Sequence, residues 1–133
     1  MKVLLDTDAY SALKRGHPGV ADVVRQSEEV LLSTVVAGEL LYGFRNGNRF
    51  ERNRSELDEF AASPFVTVVP VTMATADRFG RIATALKQAG RPIPTNDIWI
   101  AAKAMETGAE LISFDRHYEW VDGLAWRAPE SRT

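Results

Sequence analysis

Apolar residues recur along this chain with two different rhythms. Unbroken runs at Val3–Leu5, Val30–Leu32, Phe65–Val71 and Ala109–Phe114 predict buried strands. Leu124-Ala125-Trp126 reads as a fifth strand, short and at an edge, and the last few residues read as frayed. Between the runs the spacing becomes helical. Asp6-Thr7-Asp8 offers capping oxygens ahead of a helix over Ala9–Lys14, which Gly16 and Pro18 end. Val20, Val23 and Val24 predict a second short helix reaching about Gln26. Ser33 or Thr34 caps a third that carries Val35, Val36, Leu40, Leu41 and Phe44. Residues 45–63 are polar, with Phe50, Leu57 and Phe60 as apolar teeth, and predict a helix with one solvated face that Pro64 breaks. Thr72 or Thr75 opens a long helix striped by Ala76, Phe79, Ile82, Ala83 and Leu86, with Gly90 past its end. Pro92 and Pro94 bracket a rigid loop. Thr95 or Asn96 then caps a helix striped by Ile98, Ala101, Ala102 and Met105, which Gly108 closes.

Strands that alternate with helices predict an α/β domain with a largely parallel sheet. At 133 residues the chain is one domain, residues 1–133, with no internal repeat, low-complexity segment or linker. It is long enough to fold around its own core without a metal or a disulfide. There are no cysteines, which excludes a disulfide framework, Cys-based zinc sites and thiol nucleophiles. The two histidines, His17 and His117, are far apart in sequence and form no zinc motif, so any metal site must be built mainly from oxygen ligands. The formal charge of −2 gives no bulk nucleic-acid signal, although twelve of the sixteen basic residues are Arg. The N-terminal apolar run is too short for a signal peptide and no stretch reaches membrane-span length, so a soluble, cytoplasmic protein is expected, with no membrane partner.

Candidate chemistry lies in the acids. In parallel sheets functional groups gather beyond the carboxyl ends of the strands. Asp6 follows Val3–Leu5, and Asp115 follows Leu111–Phe114. Glu39 sits among apolar neighbours in Val35–Leu41, and Asp97 opens the helical run Asp97–Ala102. Each acid has a structural alternative: Asp6 and Asp8 as helix caps, Asp97 against a helix dipole, Asp115 as a turn residue, Glu39 pointing outward. Buried carboxylates that converge repel one another, and a divalent cation removes the repulsion. Together the four predict a Mg²⁺ or Mn²⁺ site.

Four blocks in order resemble a known family: Leu4-Leu5-Asp6-Thr7-Asp8, Gly38-Glu39-Leu40-Leu41-Tyr42-Gly43, Thr95-Asn96-Asp97-Ile98-Trp99-Ile100-Ala101-Ala102 and Leu111-Ile112-Ser113-Phe114-Asp115. The sequence is similar to PIN-domain proteins, and more narrowly to VapC-type toxin ribonucleases of toxin–antitoxin pairs. The resemblance spans essentially the whole chain. It implies a three-layer α/β/α sandwich with a mostly parallel sheet of four or five strands, and a metal-dependent endoribonuclease. Carried over residue by residue, the acidic quartet is Asp6, Glu39, Asp97 and Asp115, serving as both catalytic and metal-binding residues. Asp6, Glu39 and Asp97 are the expected principal ligands, and Asp115 a further ligand or an aid to deprotonating water. Thr7 and Ser113 match hydroxyl positions beside the site, and Thr95 and Asn96 are expected on the loop entering it. Position 8 is commonly Asn in the family and is Asp here, where capping of the first helix is the favoured role. Position 113 is often Thr and is Ser here, which keeps the hydroxyl. The resemblance also implies an RNA substrate, a cognate antitoxin, and a homodimer or toxin–antitoxin hetero-oligomer. Tyr10, Leu13 and Val20 are expected to contribute to the antitoxin docking surface.

Arg45, Arg49, Arg52 and Arg54 crowd the segment after the Glu39 helix, and Arg116 follows Asp115. Arg45, Arg49 and Arg116 are the candidate RNA contacts. The alternative pairs this arginine face with Glu51, Glu56 and Glu59. Trp99, Trp120, Trp126 and Tyr10 could stack bases, but core or dimer packing is the default expectation. His117 reads as a loop histidine rather than an acid–base group in the cleft. Two rival functions remain. Asp6-x-Asp8 after a strand imitates a haloacid-dehalogenase-type phosphatase, which would also need a downstream lysine and acid pair. A non-catalytic interaction module is the other.

Overall fold

The structure, a computed structural model, describes residues 1–130. The fraying expected at the extreme C-terminus falls outside that range. Five strands form one sheet: β1 (Lys2–Leu5), β2 (Glu29–Ser33), β3 (Val66–Val69), β4 (Glu110–Ile112) and β5 (Trp126–Arg127). Their order is β3-β2-β1-β4-β5 and every pairing is parallel. Leu4 stands between Leu31 on one side and Leu111 on the other. Val3, Leu4 and Leu5 are all buried although successive side chains point to opposite faces, so helices cover both faces of β1. That requirement is why the parallel strands read as unbroken apolar runs rather than alternating ones.

The helices are α1 (Thr7–Lys14), α2 (Pro18–Gln26), α3 (Thr34–Arg45), α4 (Phe50–Ala62), α5 (Met73–Gln88) and α6 (Thr95–Thr107). Ser33 caps α3, and Thr72 caps α5 in a reciprocal pair with Thr75. His17 caps α2 by accepting the Val20 N–H on Nδ1 at 3.2 Å, ahead of Pro18 at the first helical position. Gly108 ends α6 with φ at 74°, a conformation that costs glycine nothing.

Several expected boundaries are corrected. The polar stretch 45–63 is not one helix. Arg45 ends α3, Asn46 closes it by donating from Nδ2 to the Tyr42 carbonyl at 2.8 Å, and α4 begins only at Phe50. The third strand stops at Val69 because Pro70 has no N–H for the ladder. The fourth is shortened to Glu110–Ile112, and the fifth lies at Trp126–Arg127. Neither Thr95 nor Asn96 caps α6. Both lie inside its first turn behind Pro94, and no side chain caps that end.

Packing also decides what composition left open. Tyr10 and Val20 are buried, Tyr10 in edge-to-face contact with Phe60 at 5.1 Å. They cannot form an exposed docking surface, which corrects that expectation; Leu13 alone of the three is only partly buried. Lys103 is buried on α6 and pairs with Glu106 at 2.9 Å, while Thr75 Oγ1 donates to the same carboxylate at 2.6 Å. This polar clamp ties α5 to α6, the helix that carries Asp97.

Gly19 in α2 packs against the C-terminal strap. A methyl group there would lie 2.1 Å from the Glu130 carbonyl oxygen, so backbone must move to admit it. Gly19→Ala is expected to lose about 1–3 kcal/mol of stability by overpacking. Urea denaturation checks this; an unchanged midpoint would show that the strap yields freely.

Candidate active site

The order of the strands fixes where the site lies. From β1 the chain moves outward through β2 and β3, then returns to β4 on the opposite side of β1. The reversal leaves a crevice beyond the carboxyl ends of β1 and β4, the position where open parallel sheets bind ligands. Asp6 is the first residue after β1, and Asp115 follows β4 by three residues. Helix α6 brings Asp97 in its first turn, and α3 brings Glu39.

Asp6 is buried, 7% exposed, and caps α1 by accepting the Ala9 N–H on Oδ1 at 2.9 Å. Ser113 Oγ donates to Oδ2. Burial outweighs both hydrogen bonds, with Asp8 and Asp97 adding repulsion, and pushes the carboxyl up to about 6. The same Ser113 oxygen accepts the Asp115 N–H at 3.0 Å, so one fully buried hydroxyl links the two strand ends. Trp126 Nε1 holds the Ser113 carbonyl at 3.0 Å from β5.

Asp97 is half-buried, and its pKa is raised, chiefly by that burial and against the hydrogen bond from His117. Glu39 is half-buried too. Thr7 Oγ1 donates to its Oε1 at 2.5 Å, and Asn96 Nδ2 to its Oε2 at 3.3 Å. Thr7 and Asn96 thus orient the carboxylate. Asn96 does so from the helix, not from an entry loop as expected. Beside Glu39 runs an open groove of about 790 Å³ lined by Thr7, Thr34, Tyr42, Val71, Asn96 and Trp99.

Asp8 does not cap α1, which corrects the role favoured for it: the cap is Asp6, and Asp8 is exposed in the first turn. It contributes favourable charge at the helix N-terminus and repulsion toward Asp6.

His117 is the residue that sequence reasoning set aside. A 3-10 turn over Arg116–Trp120 follows Asp115 and turns this ring into the cleft. Its Nε2 lies 2.9 Å from Asp97 Oδ2 and its Nδ1 2.8 Å from Asp115 Oδ1. Asp97, Asp115 and His117 each place one donor atom within 4.8 Å of the others, close enough for a shared cation. Next to them Tyr118 is buried, with its hydroxyl beside the Asp97 carboxylate. Burial pushes its pKa up, with Asp97, Asp6 and Asp115 adding to the effect. Carboxylates gathered with an imidazole at one end of the crevice, Asp6 and Asp97 with raised pKa values, are a donor set that fits a divalent cation. The signal in the sequence was a histidine two residues beyond a strand-end acid. Its spacing from Asp97 could not be read without the fold.

The remaining candidates are more dispersed. Arg45 stacks on Phe50 at 4.4 Å, and Arg54 pairs with Asp58 at 3.1 Å rather than with Glu51, Glu56 or Glu59. Arg49 and Arg116 are exposed. Tyr10 and Trp99 follow the packing expectation, Trp99 stacked on Phe79 at 4.1 Å. Trp120 is 38% exposed, with the Arg91 guanidinium 5.4 Å from its ring. Lys103, a lysine that phosphatase chemistry could have used, is committed to Glu106. Among the described residues no helix is long and apolar enough to cross a membrane.

An all-parallel α/β domain with an acid-lined crevice at its switch point defines the class of protein. The chain belongs to the PIN domain family, whose model matches residues 3–124. It is similar to ribonuclease VapC1 of Haemophilus influenzae, 26% identical over 132 residues that cover 96% of this chain and 97% of the relative. Among solved structures, VapBC-1 from nontypeable Haemophilus influenzae superposes with a TM-score of 0.84 at 26% identity, covering 96% of this chain and 98% of that one. VapBC2 from Rickettsia felis, bound to a DNA fragment from its promoter, superposes with a TM-score of 0.87 at 22% identity, over 98% of this chain and 100% of that one. At that identity the second likeness speaks for the fold.

Proposed function

We propose that this protein is a metal-dependent endoribonuclease, the toxin of a VapBC-type toxin–antitoxin pair. The observation that carries the reading is the cluster of Asp97, Asp115 and His117 at the switch point of a PIN fold, with Asp6 joined to it through Ser113 and Glu39 through Thr7 and Asn96. The names of its relatives, ribonuclease VapC1 and VapBC-1, support it.

In this reading the four acids hold Mg²⁺ or Mn²⁺. A divalent ion held there would supply a water of lowered pKa and would offset charge on the phosphoryl oxygens. The chain's own groups prepare the site. Ser113 and the Ala9 N–H fix Asp6, Thr7 and Asn96 fix Glu39, and His117 fixes Asp97 and Asp115. Preorganised carboxylates need no rearrangement as charge develops on the scissile phosphate. Arg45, Arg49 and Arg116 contact the RNA backbone.

An acidic crevice of this kind also suits a cognate antitoxin that inserts a basic side chain. A homodimer or a toxin–antitoxin hetero-oligomer is the proposed assembly.

Asp97→Ala is expected to abolish cleavage of a mixed RNA pool in Mg²⁺ or Mn²⁺ while far-UV circular dichroism stays unchanged. Wild-type cleavage should also stop in EDTA. Full activity in the variant would remove Asp97 from the site. Absence of wild-type cleavage across varied RNAs would favour the non-catalytic module.

A further inference from the structure

The structure separates the three tryptophans. Trp99 stacks on Phe79, and Trp126 donates its indole N–H to the Ser113 carbonyl, so both are committed within the fold. Trp120 is exposed instead. The 3-10 turn that carries His117 into the cleft also carries Trp120, and the two rings lie 6.4 Å apart between centroids. His117 in turn contacts Asp97 and Asp115. The indole thus stands at the rim of the acid-lined crevice. It also walls a separate cavity of about 180 Å³, lined by Leu86, Met105 and Val121, with Arg78 and Asp122 among its polar groups. Arg91 is exposed on the loop between α5 and α6 and sets its guanidinium 5.4 Å from the Trp120 ring centroid. A guanidinium over an aromatic face keeps its N–H donors at the edge, where a phosphate can meet them.

A free phosphate would use the arginines and leave the apolar lining unused. An apolar ligand would use the lining and leave the arginines unused. A base joined to its phosphate uses both, because bases stack on aromatic rings whatever their sequence and arginine holds the backbone. We infer that the cavity walled by Trp120 is a base subsite of the RNA cleft: a base next to the cleaved phosphate stacks on Trp120 over Leu86, Met105 and Val121, and Arg91 contacts the adjoining phosphate. The inference rests on the ribonuclease reading and deepens it by naming where the strand leaves the crevice and which residues hold it. Trp120 binds substrate and takes no part at the reacting atoms. A base inside a duplex has both faces covered by its neighbours, so the subsite takes an unpaired one.

The test measures binding of a single-stranded oligoadenylate, and of a duplex RNA of equal length, to the full chain and its variants. Fluorescence anisotropy reads the affinity, in Ca²⁺, with the RNA shown intact by gel. Trp120→Ala should weaken single-strand binding about 5–100-fold, and Trp120→Phe should recover most of the loss. Duplex binding should change little in either variant. Arg91→Gln should lower the salt dependence of single-strand binding by about one unit of slope. Bound oligoadenylate should quench indole fluorescence in the wild type and lose most of that quenching in Trp120→Phe, so the decision does not depend on the alanine variant folding. Unchanged affinity in Trp120→Ala, equal losses for single strand and duplex, or no quenching in the wild type would make Trp120 a packing residue and overturn the inference while leaving the ribonuclease reading standing. No binding of either RNA by the wild type would overturn the ribonuclease reading, and the inference with it.

Discussion

Replacing Asp6 with asparagine is expected to abolish RNA cleavage and, in the absence of divalent cations, to make the fold more stable. Both effects have one cause. The Asp6 carboxyl is buried and its pKa is raised from 3.8 to about 6, so at neutral pH the fold carries a charge it disfavours. A shift of that size corresponds to an upper limit of about 3 kcal/mol at pH 7. Asparagine keeps the side-chain oxygen that caps α1 and removes the charge. We expect a net gain of about 1–2 kcal/mol, or roughly 5 °C in Tm, the usual exchange of stability for function at an active site.

The sign can be checked by pH. Because the folded pKa lies above the unfolded one, the fold binds the proton more tightly than the unfolded chain does. The resulting stabilisation is complete below pH 3.8 and is lost as the pH rises through about 6. Metal-free wild type should therefore show this stability slope between those limits, and Asp6→Asn should lack it. Saturating divalent cation should reverse the order of stability at pH 7, since only the wild type gains from binding. A metal-free Asp6→Asn variant less stable than wild type would mean that the hydrogen bonds to the ionised carboxylate outweigh its burial.

Ser113→Ala is expected to be the most damaging single-atom change at the site. Its hydroxyl donates to Asp6 and accepts from the Asp115 N–H, and no part of the residue is exposed. Alanine leaves a buried carboxylate oxygen and a backbone N–H without that partner, at a cost of about 2–4 kcal/mol. The Ser113 hydrogen bond also lowers the Asp6 pKa, so its loss moves that pKa further up. The acid limb of the cleavage profile should shift to higher pH, and part of the activity lost at pH 7 should return at pH 8–9. Ser113→Thr keeps the hydroxyl and should recover most of both effects. Equal stability and an unmoved acid limb in Ser113→Ala would show that water replaces the hydroxyl.

Much of this was legible in the chain itself. Parallel strands covered on both faces need every residue apolar, so Val3–Leu5 and Val30–Leu32 announced themselves. Ser33, Thr72 and Gly108 marked helix ends because capping is local chemistry between residues three or four apart. The four acids stood out for local reasons too: Asp6 and Asp115 where apolar runs stop, Asp97 where one opens, and Glu39 among apolar neighbours.

What the sequence determined, then, was whatever depends on near neighbours: strand and helix periods, most caps, and the candidacy of the four acids. Only the tertiary structure decided their partners. It gave Asp6 rather than Asp8 the cap, turned Tyr10 and Val20 inward, and buried Lys103 against Glu106. It brought Ser113 to Asp6 across 107 positions of sequence and His117 to Asp97 across 20. These contacts arise where the sheet reverses direction beside β1, and no local rule of hydrogen bonding or periodicity reaches over that distance.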